Sequence, residues 1–166
     1  MIQRAFDLSR LGKKIARPGI LRTPEDVLTA TVRSLRRHRV PFLVHGAWAL
    51  AAYGYARATD DFDFLAILDE GALHRLESAM RDLGALLLRP SSRTHLMYNA
   101  SGWRLDFFLE PPARFAALKR RSVRRRFLRM VLPVISRGDL IRRKRARGTL
   151  QDRADIERLQ GGGEKP

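Results

Sequence analysis

Thr23-Pro24-Glu25-Asp26 reads as a helix start, with a threonine cap, a proline in the first turn and early acids, and Val27, Leu28, Val32 and Leu35 then repeat at helical spacing. The period changes after the basic stretch Arg36 to Arg39. Val40 to Val44 is short and rich in strand formers, and it meets His45-Gly46, so a buried strand ending in a turn is predicted, followed by a short helix over Ala47 to Tyr53 and a break at Gly54. In Asp61-Phe62-Asp63-Phe64-Leu65-Ala66-Ile67, acids alternate with apolar residues before the run becomes wholly apolar, which predicts a strand with two carboxylates on one face.

Leu73, Leu76, Met80 and Leu83 restore the helical period, and Gly84 is its natural stop. Leu86 to Leu88, Thr94 to Tyr98 and Trp103 to Leu109 read as strands, the last two joined by the turn-rich Asn99-Ala100-Ser101-Gly102. A basic region from Arg114 to Arg129 shows no clear period. Val131 to Ile135 is read as a last edge strand, and Asp139 to Arg147 and Gln151 to Leu159 as two helices separated by Gly148. No internal repeat is present, which argues against a solenoid.

The chain has 166 residues, 45% of them hydrophobic, enough for one core and short for two. One compact domain over 23–159 is therefore expected, with a basic extension at 1–22 and a disordered Gly-rich tail at 160–166. No run approaches the roughly 18 apolar residues of a membrane span, so a soluble, cytoplasmic protein with no membrane partner is expected. Cysteine is absent, which excludes disulfides, thiolate zinc sites and cysteine nucleophiles. Any metal must be held by carboxylates or imidazoles, and oxygen ligands favour Mg2+ or Mn2+.

Two aspartates one residue apart on a strand project to the same side, so Asp61 and Asp63 can hold one or two cations between them. Asp106, in Arg104-Leu105-Asp106-Phe107-Phe108-Leu109, is a third acid amid apolar neighbours, costly unless paired, hydrogen-bonded or metal-bound. Three carboxylates brought together repel one another, and a divalent cation relieves that repulsion, as phosphoryl transfer through metal requires. Taken alone, Asp-x-Asp is also how a strand with solvated acids looks. Upstream, His45-Gly46-Ala47 ends a strand and opens a helix, so its backbone N–H groups can face an anion.

Together, Leu43-Val44-His45-Gly46-Ala47-Trp48-Ala49 and Gly54-Tyr55-Ala56-Arg57-Ala58-Thr59-Asp60-Asp61-Phe62-Asp63 resemble the minimal nucleotidyltransferase family, within the polymerase-beta-like superfamily and including abortive-infection toxins. The likeness runs from about Pro24 to Leu159. It implies an α+β fold, a mixed β-sheet flanked by helices with a helical C-terminal segment, and metal-dependent transfer of a nucleotidyl group from a nucleoside triphosphate. It also implies roles: Asp61, Asp63 and Asp106 as catalytic metal ligands, and Gly46, Ala47, Arg57, Thr59 and Lys144 as nucleotide-binding residues. Ala47 stands where the family usually has glycine or serine, and Gly148-Thr149 where it often has glycine-arginine, so a nearby cation must come from Arg145 or Arg147.

The formal charge of +16, mostly arginine, favours a polyanionic partner. Arg120, Arg121, Arg124, Arg125 and Arg126 form the densest patch and are candidates for RNA or tRNA binding, while a solvated basic face accounts for them equally well. Asp152 and Asp155, three apart on a helix, read as partners for nearby arginines. His38, His74 and His95 show no ligand spacing, and His45, alone at a strand end, could contact a phosphate but reads first as a hydrogen-bonded structural group. The acceptor is left open among RNA, protein and small-molecule hydroxyls, and a toxin paired with an antitoxin protein is one biological setting. The competing expectation is a catalytically degenerate scaffold that binds RNA or protein.

Overall fold

The computed structural model describes residues 23–88, 92–127 and 129–161. Both the basic extension at 1–22 and most of the Gly-rich tail lie outside them. The first helix, α1 (Pro24–Arg37), starts as the sequence predicts: Thr23 Oγ1 accepts from the Asp26 N–H at 3.1 Å, and the Asp26 carboxylate accepts from the Thr23 N–H at 3.2 Å. Strand β1 (Phe42–Val44), helix α2 (Gly46–Ala52) and strand β2 (Asp61–Ile67) follow, then α3 (Glu70–Leu83), which Gly84 closes in a left-handed conformation at φ 71°.

The next strands are β3 (Leu86–Leu87), β4 (His95–Ala100) and β5 (Trp103–Glu110). Only Ser101 and Gly102 connect the last two, at φ 53° and 91°, so the turn is two residues shorter than the composition of 99–102 suggested. The unpatterned basic stretch resolves into helix α4 (Pro112–Arg121) and strand β6 (Val123–Phe127). After it come β7 (Met130–Val134), α5 (Arg137–Arg147) and α6 (Leu150–Gly161).

The seven strands form one mixed sheet in the order β3-β4-β5-β2-β1-β7-β6. Strand β7 is not the edge that the sequence suggested: it pairs parallel with β1 on one side and antiparallel with β6 on the other. Val131 to Ile135 is apolar because it is an interior strand, and the arginine-rich β6 takes the exposed edge, where charge discourages further pairing.

In β2 the burial alternates. Phe62, Phe64 and Ala66 are buried, and Phe64 stacks on Phe107 at 5.1 Å and meets Phe42 edge-on at 6.0 Å. Tyr98 of β4 meets Phe107 edge-on, and Leu96, Tyr98 and Ala100 are buried in the same alternating way. Asp61 and Asp63 of β2 alternate with these apolar residues and so stand on the opposite face, in register with Arg104 and Asp106 of the parallel β5. The same pairing rule puts His95 and Met97 of β4 on that face, opposite Phe108 and Asp106. No helix among the described residues is long and apolar enough to cross a membrane.

Candidate active site

Strand pairing alone assembles the acidic cluster. Asp63 and Asp106 are direct partners in the β2–β5 ladder, Asp61 is two residues away on the same face, and one oxygen from each of the three lies within 4.8 Å of the others. Their surroundings differ. Thr59 Oγ1 donates to Asp61 Oδ1 at 2.6 Å, and Arg104 donates through Nε to Asp106 Oδ2 at 2.7 Å and through Nη2 to Asp61 Oδ2. His95 Nε2 lies 2.8 Å from Asp106 Oδ1, its ring stacked on Phe108. Asp63 has no such donor among the described residues, and burial, with the charges of Asp61 and Asp106 added, pushes its carboxyl up to about 7. An all-oxygen donor set with one half-buried, under-neutralised carboxylate fits Mg2+ or Mn2+.

Gly46 faces this cluster so closely that no other residue fits. Its φ is +64°, and a Cβ there would lie 1.8 Å from Asp63 Oδ2. The turn is tied to β2 by backbone, His45 N–H donating to Asp63 O at 2.9 Å, and by Trp48 Nε1, which donates to Asp61 O at 3.1 Å. Trp48 also stacks on Phe62 at 4.8 Å, so it is a support for β2. Ala47 is buried beside it. His45 carries a buried Nδ1 with no protein partner among the described residues; burial and then the charges of Arg143, Lys144 and Arg147 hold the imidazole well below its ordinary pKa, so it is neutral.

Two open cavities meet at this turn. One, of about 440 Å³, contains the three aspartates with Gly46, Ala47, Arg57, Thr59, Arg104 and Arg147. The other, of about 480 Å³, is walled by α4 and α5 and holds Arg114, Arg121, Arg142 and Arg143. Gly46, Phe108 and Arg147 line both. The four arginines of the second cavity share two carboxylates: Asp139, which lines it, is held by Arg121 and Arg142, and the buried Glu110 behind it by Arg114 and Arg143. Burial alone would raise the Asp139 carboxyl, but hydrogen bonds from Arg121, Ser136 and Arg142 hold it well below the usual range. Four guanidinium groups against two carboxylates leave this wall net cationic.

The predicted site residues are distributed unevenly. Asp61, Asp63, Asp106, Gly46, Ala47, Arg57 and Thr59 come together in one pocket. Lys144 lines the second cavity but is only 2% exposed, its Nζ 2.6 Å from Asp155 and 3.7 Å from Asp152. Arg147, one turn later, rather than Arg145 lines the aspartate pocket, its guanidinium paired with Asp152. Arg57 does two things, pairing through Nε with Asp155 at 3.2 Å while lining the aspartate pocket. Of the basic patch, Arg121 is bound to Asp139 and Arg125 lies over the Tyr53 ring at 5.2 Å, whereas Arg120, Arg124 and Arg126 are exposed.

Arg104, Arg114, Arg142 and Arg143 were not singled out as site residues from the sequence, and His95 was set aside there for want of ligand spacing. Arg104 had a signal, since residues two apart on a strand share a face and Arg104-x-Asp106 is such a pair. His95 had none, because its place depends on the β4–β5 register.

No family model matches this chain, and neither does any curated protein. Solved structures do match its fold. The antibiotic-resistance factor ANT(2'')-Ia, in complex with adenylyl-2''-tobramycin, superposes with a TM-score of 0.65 at 15% identity over 84% of this chain and 90% of that one. The lincosamide antibiotic adenylyltransferase LnuA, lincomycin-bound, gives 0.65 at 13% identity over 83% and 96%. An antigenic nucleotidyltransferase-like protein from Paracoccidioides brasiliensis gives 0.54 at 13% over 83% and 78%. The chain has the nucleotidyltransferase-like fold, with the helical C-terminal segment the sequence predicts.

Proposed function

We propose that this chain is a metal-dependent nucleotidyltransferase that moves a nucleotidyl group from a nucleoside triphosphate to an acceptor hydroxyl. The observation that carries the reading is the convergence of Asp61, Asp63 and Asp106 on one point, beside a glycine that no other residue can replace. The divalent cation that these carboxylates would hold supplies charge neutralisation for the triphosphate and acidifies the acceptor hydroxyl.

The protein's own groups divide the remaining work. Arg147 stands between the two cavities, so a triphosphate lying along it has its reacting phosphorus near the aspartates and its leaving end against Arg114, Arg121, Arg142 and Arg143. The acceptor oxygen forms the new bond to the α-phosphorus, the bond to the β-phosphate oxygen breaks, and pyrophosphate departs into the arginine-lined cavity. Asp106, oriented by His95 at Oδ1 and by Arg104 at Oδ2, takes the hydroxyl proton in this reading. Arg57 and Lys144 act largely through Asp155, which they fix together.

Among the acceptor classes, RNA is supported by the exposed guanidinium groups of Arg120, Arg124 and Arg126, and small molecules by what ANT(2'')-Ia and LnuA bind. No feature of the site bears on an antitoxin partner. The test is incubation with each labelled nucleoside triphosphate, Mg2+ or Mn2+, and in turn total RNA, protein and a panel of polyhydroxylated small molecules. Label transfer that disappears in Asp61→Asn/Asp63→Asn is the expected result. Triphosphate and metal both failing to bind by calorimetry would instead leave a degenerate scaffold.

A further inference from the structure

Arg104 differs from Arg57 and Arg147, the other arginines of the aspartate pocket, in what holds it. Arg57 is anchored on Asp155 and Arg147 on Asp152, carboxylates that are fully buried and belong to α6. The ion-pair partners of Arg104 are Asp61 and Asp106, two of the three candidate metal ligands. Its side chain is 49% exposed, so it can leave without breaking core packing, and no buried carboxylate outside the cluster retains it among the described residues. A guanidinium that donates to Asp61 Oδ2 and Asp106 Oδ2 uses lone pairs that a divalent cation would also need.

We propose that Arg104 is a positioning residue that serves as the resident counter-ion of the metal site, bridging Asp61 and Asp106 until a divalent cation displaces its guanidinium into the same pocket. The inference rests on the nucleotidyltransferase reading, in that it takes the three aspartates as metal ligands. Arg104 keeps the cluster assembled without metal and lowers its affinity for free cation. A cation arriving with a triphosphate is less penalised, because the displaced guanidinium gains phosphate oxygens as new acceptors. Arg104 therefore couples metal binding to nucleotide binding, which a merely structural arginine would not do.

The test is calorimetric titration of Mn2+ into the full metal-free chain, without and then with a non-hydrolysable nucleoside triphosphate, for wild type, Arg104→Met, Arg104→Lys and Asp63→Asn. Without nucleotide, Arg104→Met is expected to bind Mn2+ about tenfold more tightly than wild type, the scale of two half-exposed ion pairs, with Arg104→Lys between them. With nucleotide, the advantage of Arg104→Met should shrink or reverse. Should circular dichroism show Arg104→Met unfolded, Arg104→Gln takes its place. Mn2+ affinity unchanged or weakened in the neutral variants, while Asp63→Asn abolishes binding, overturns the counter-ion role and leaves the metal site standing. Mn2+ failing to bind wild type at all overturns the metal reading and the counter-ion with it.

Discussion

Two clusters of charge lie close together in this protein and are built to opposite rules. Between α5 and α6, Lys144, Arg147, Asp152 and Asp155 are paired almost to saturation: Asp155 accepts from Lys144, Arg57 and Gln151, and Asp152 from Arg147 and Thr149. Burial would raise both carboxyls, but these donors hold them below the usual carboxylate range. Across the β2–β5 ladder, three aspartates share one arginine, one histidine and one threonine, and Asp63 receives none of them. Aspartate, arginine and threonine occur in both. Satisfied charges fix a helical hairpin, whereas under-neutralised ones are left able to accept a cation from outside, as the proposed function requires.

The largest expected effect comes from breaking the frustrated cluster. Asp63→Asn should lower nucleotidyl transfer by roughly a thousandfold or more, since a ligand and its charge are lost together. Thermal melting of the metal-free protein should nevertheless rise, because a half-buried carboxylate crowded by Asp61 and Asp106 is removed. Asp155→Asn is the counterpart: it leaves the buried Lys144 without the charge of its closest partner, and urea denaturation should show a loss of about 3 to 5 kcal/mol. If Asp63→Asn destabilised the chain as Asp155→Asn does, the contrast between the clusters would fail.

The same contrast sets a pH dependence. Asp63 is raised from an ordinary 3.8 to about 7 in the folded, metal-free chain, so the native state holds a proton there that the unfolded state has lost between those values. Its contribution to stability is therefore present toward pH 4 and lost as pH rises through about 7. Metal binding has the opposite slope, because the carboxylate must be deprotonated to act as a ligand, and Mn2+ affinity should rise about tenfold between pH 6 and pH 8. The Asp63→Asn variant, which should not bind Mn2+, should lose the stability slope as well. A wild-type Mn2+ affinity flat across that range would place the titration elsewhere.

How far the sequence could be read follows from whether a signal was local. The cap at Thr23, the stop at Gly84 and the alternation of Asp61 to Ile67 are each written in a few adjacent residues, and all three stand as read. The stretch 114–129 was opaque because arginines dominate both α4 and β6 and leave little apolar period to follow. That β7 is interior depends on its parallel pairing with β1, far earlier in the chain, which no local pattern encodes. The site shows the same limit. Asp61 and Asp63 declared themselves by strand spacing and Asp106 by its apolar neighbours, but the burial of Lys144 follows from the α5–α6 hairpin placing it against Asp155, and the approach of Gly46 to Asp63 from a turn meeting a strand.

The smallest expected effect belongs to the edge strand, and it sharpens the comparison by testing charges that are neither satisfied nor crowded. Arg124 and Arg126 are exposed on β6, while Arg125 between them turns inward onto Tyr53. Replacing both exposed arginines with serine leaves the paired carboxylates of both clusters untouched, and stability should change by no more than about 0.5 kcal/mol. Transfer to a small-molecule acceptor should be unaffected. With an RNA acceptor, binding should weaken uniformly across sequences, and the slope of log affinity against log salt should fall by about one for each phosphate that is no longer neutralised. An unchanged salt slope would mean that the two arginines are a solvated edge whose charge only discourages strand pairing, and that the acceptor is recognised within the two cavities by the aspartates and the arginines of α4 and α5.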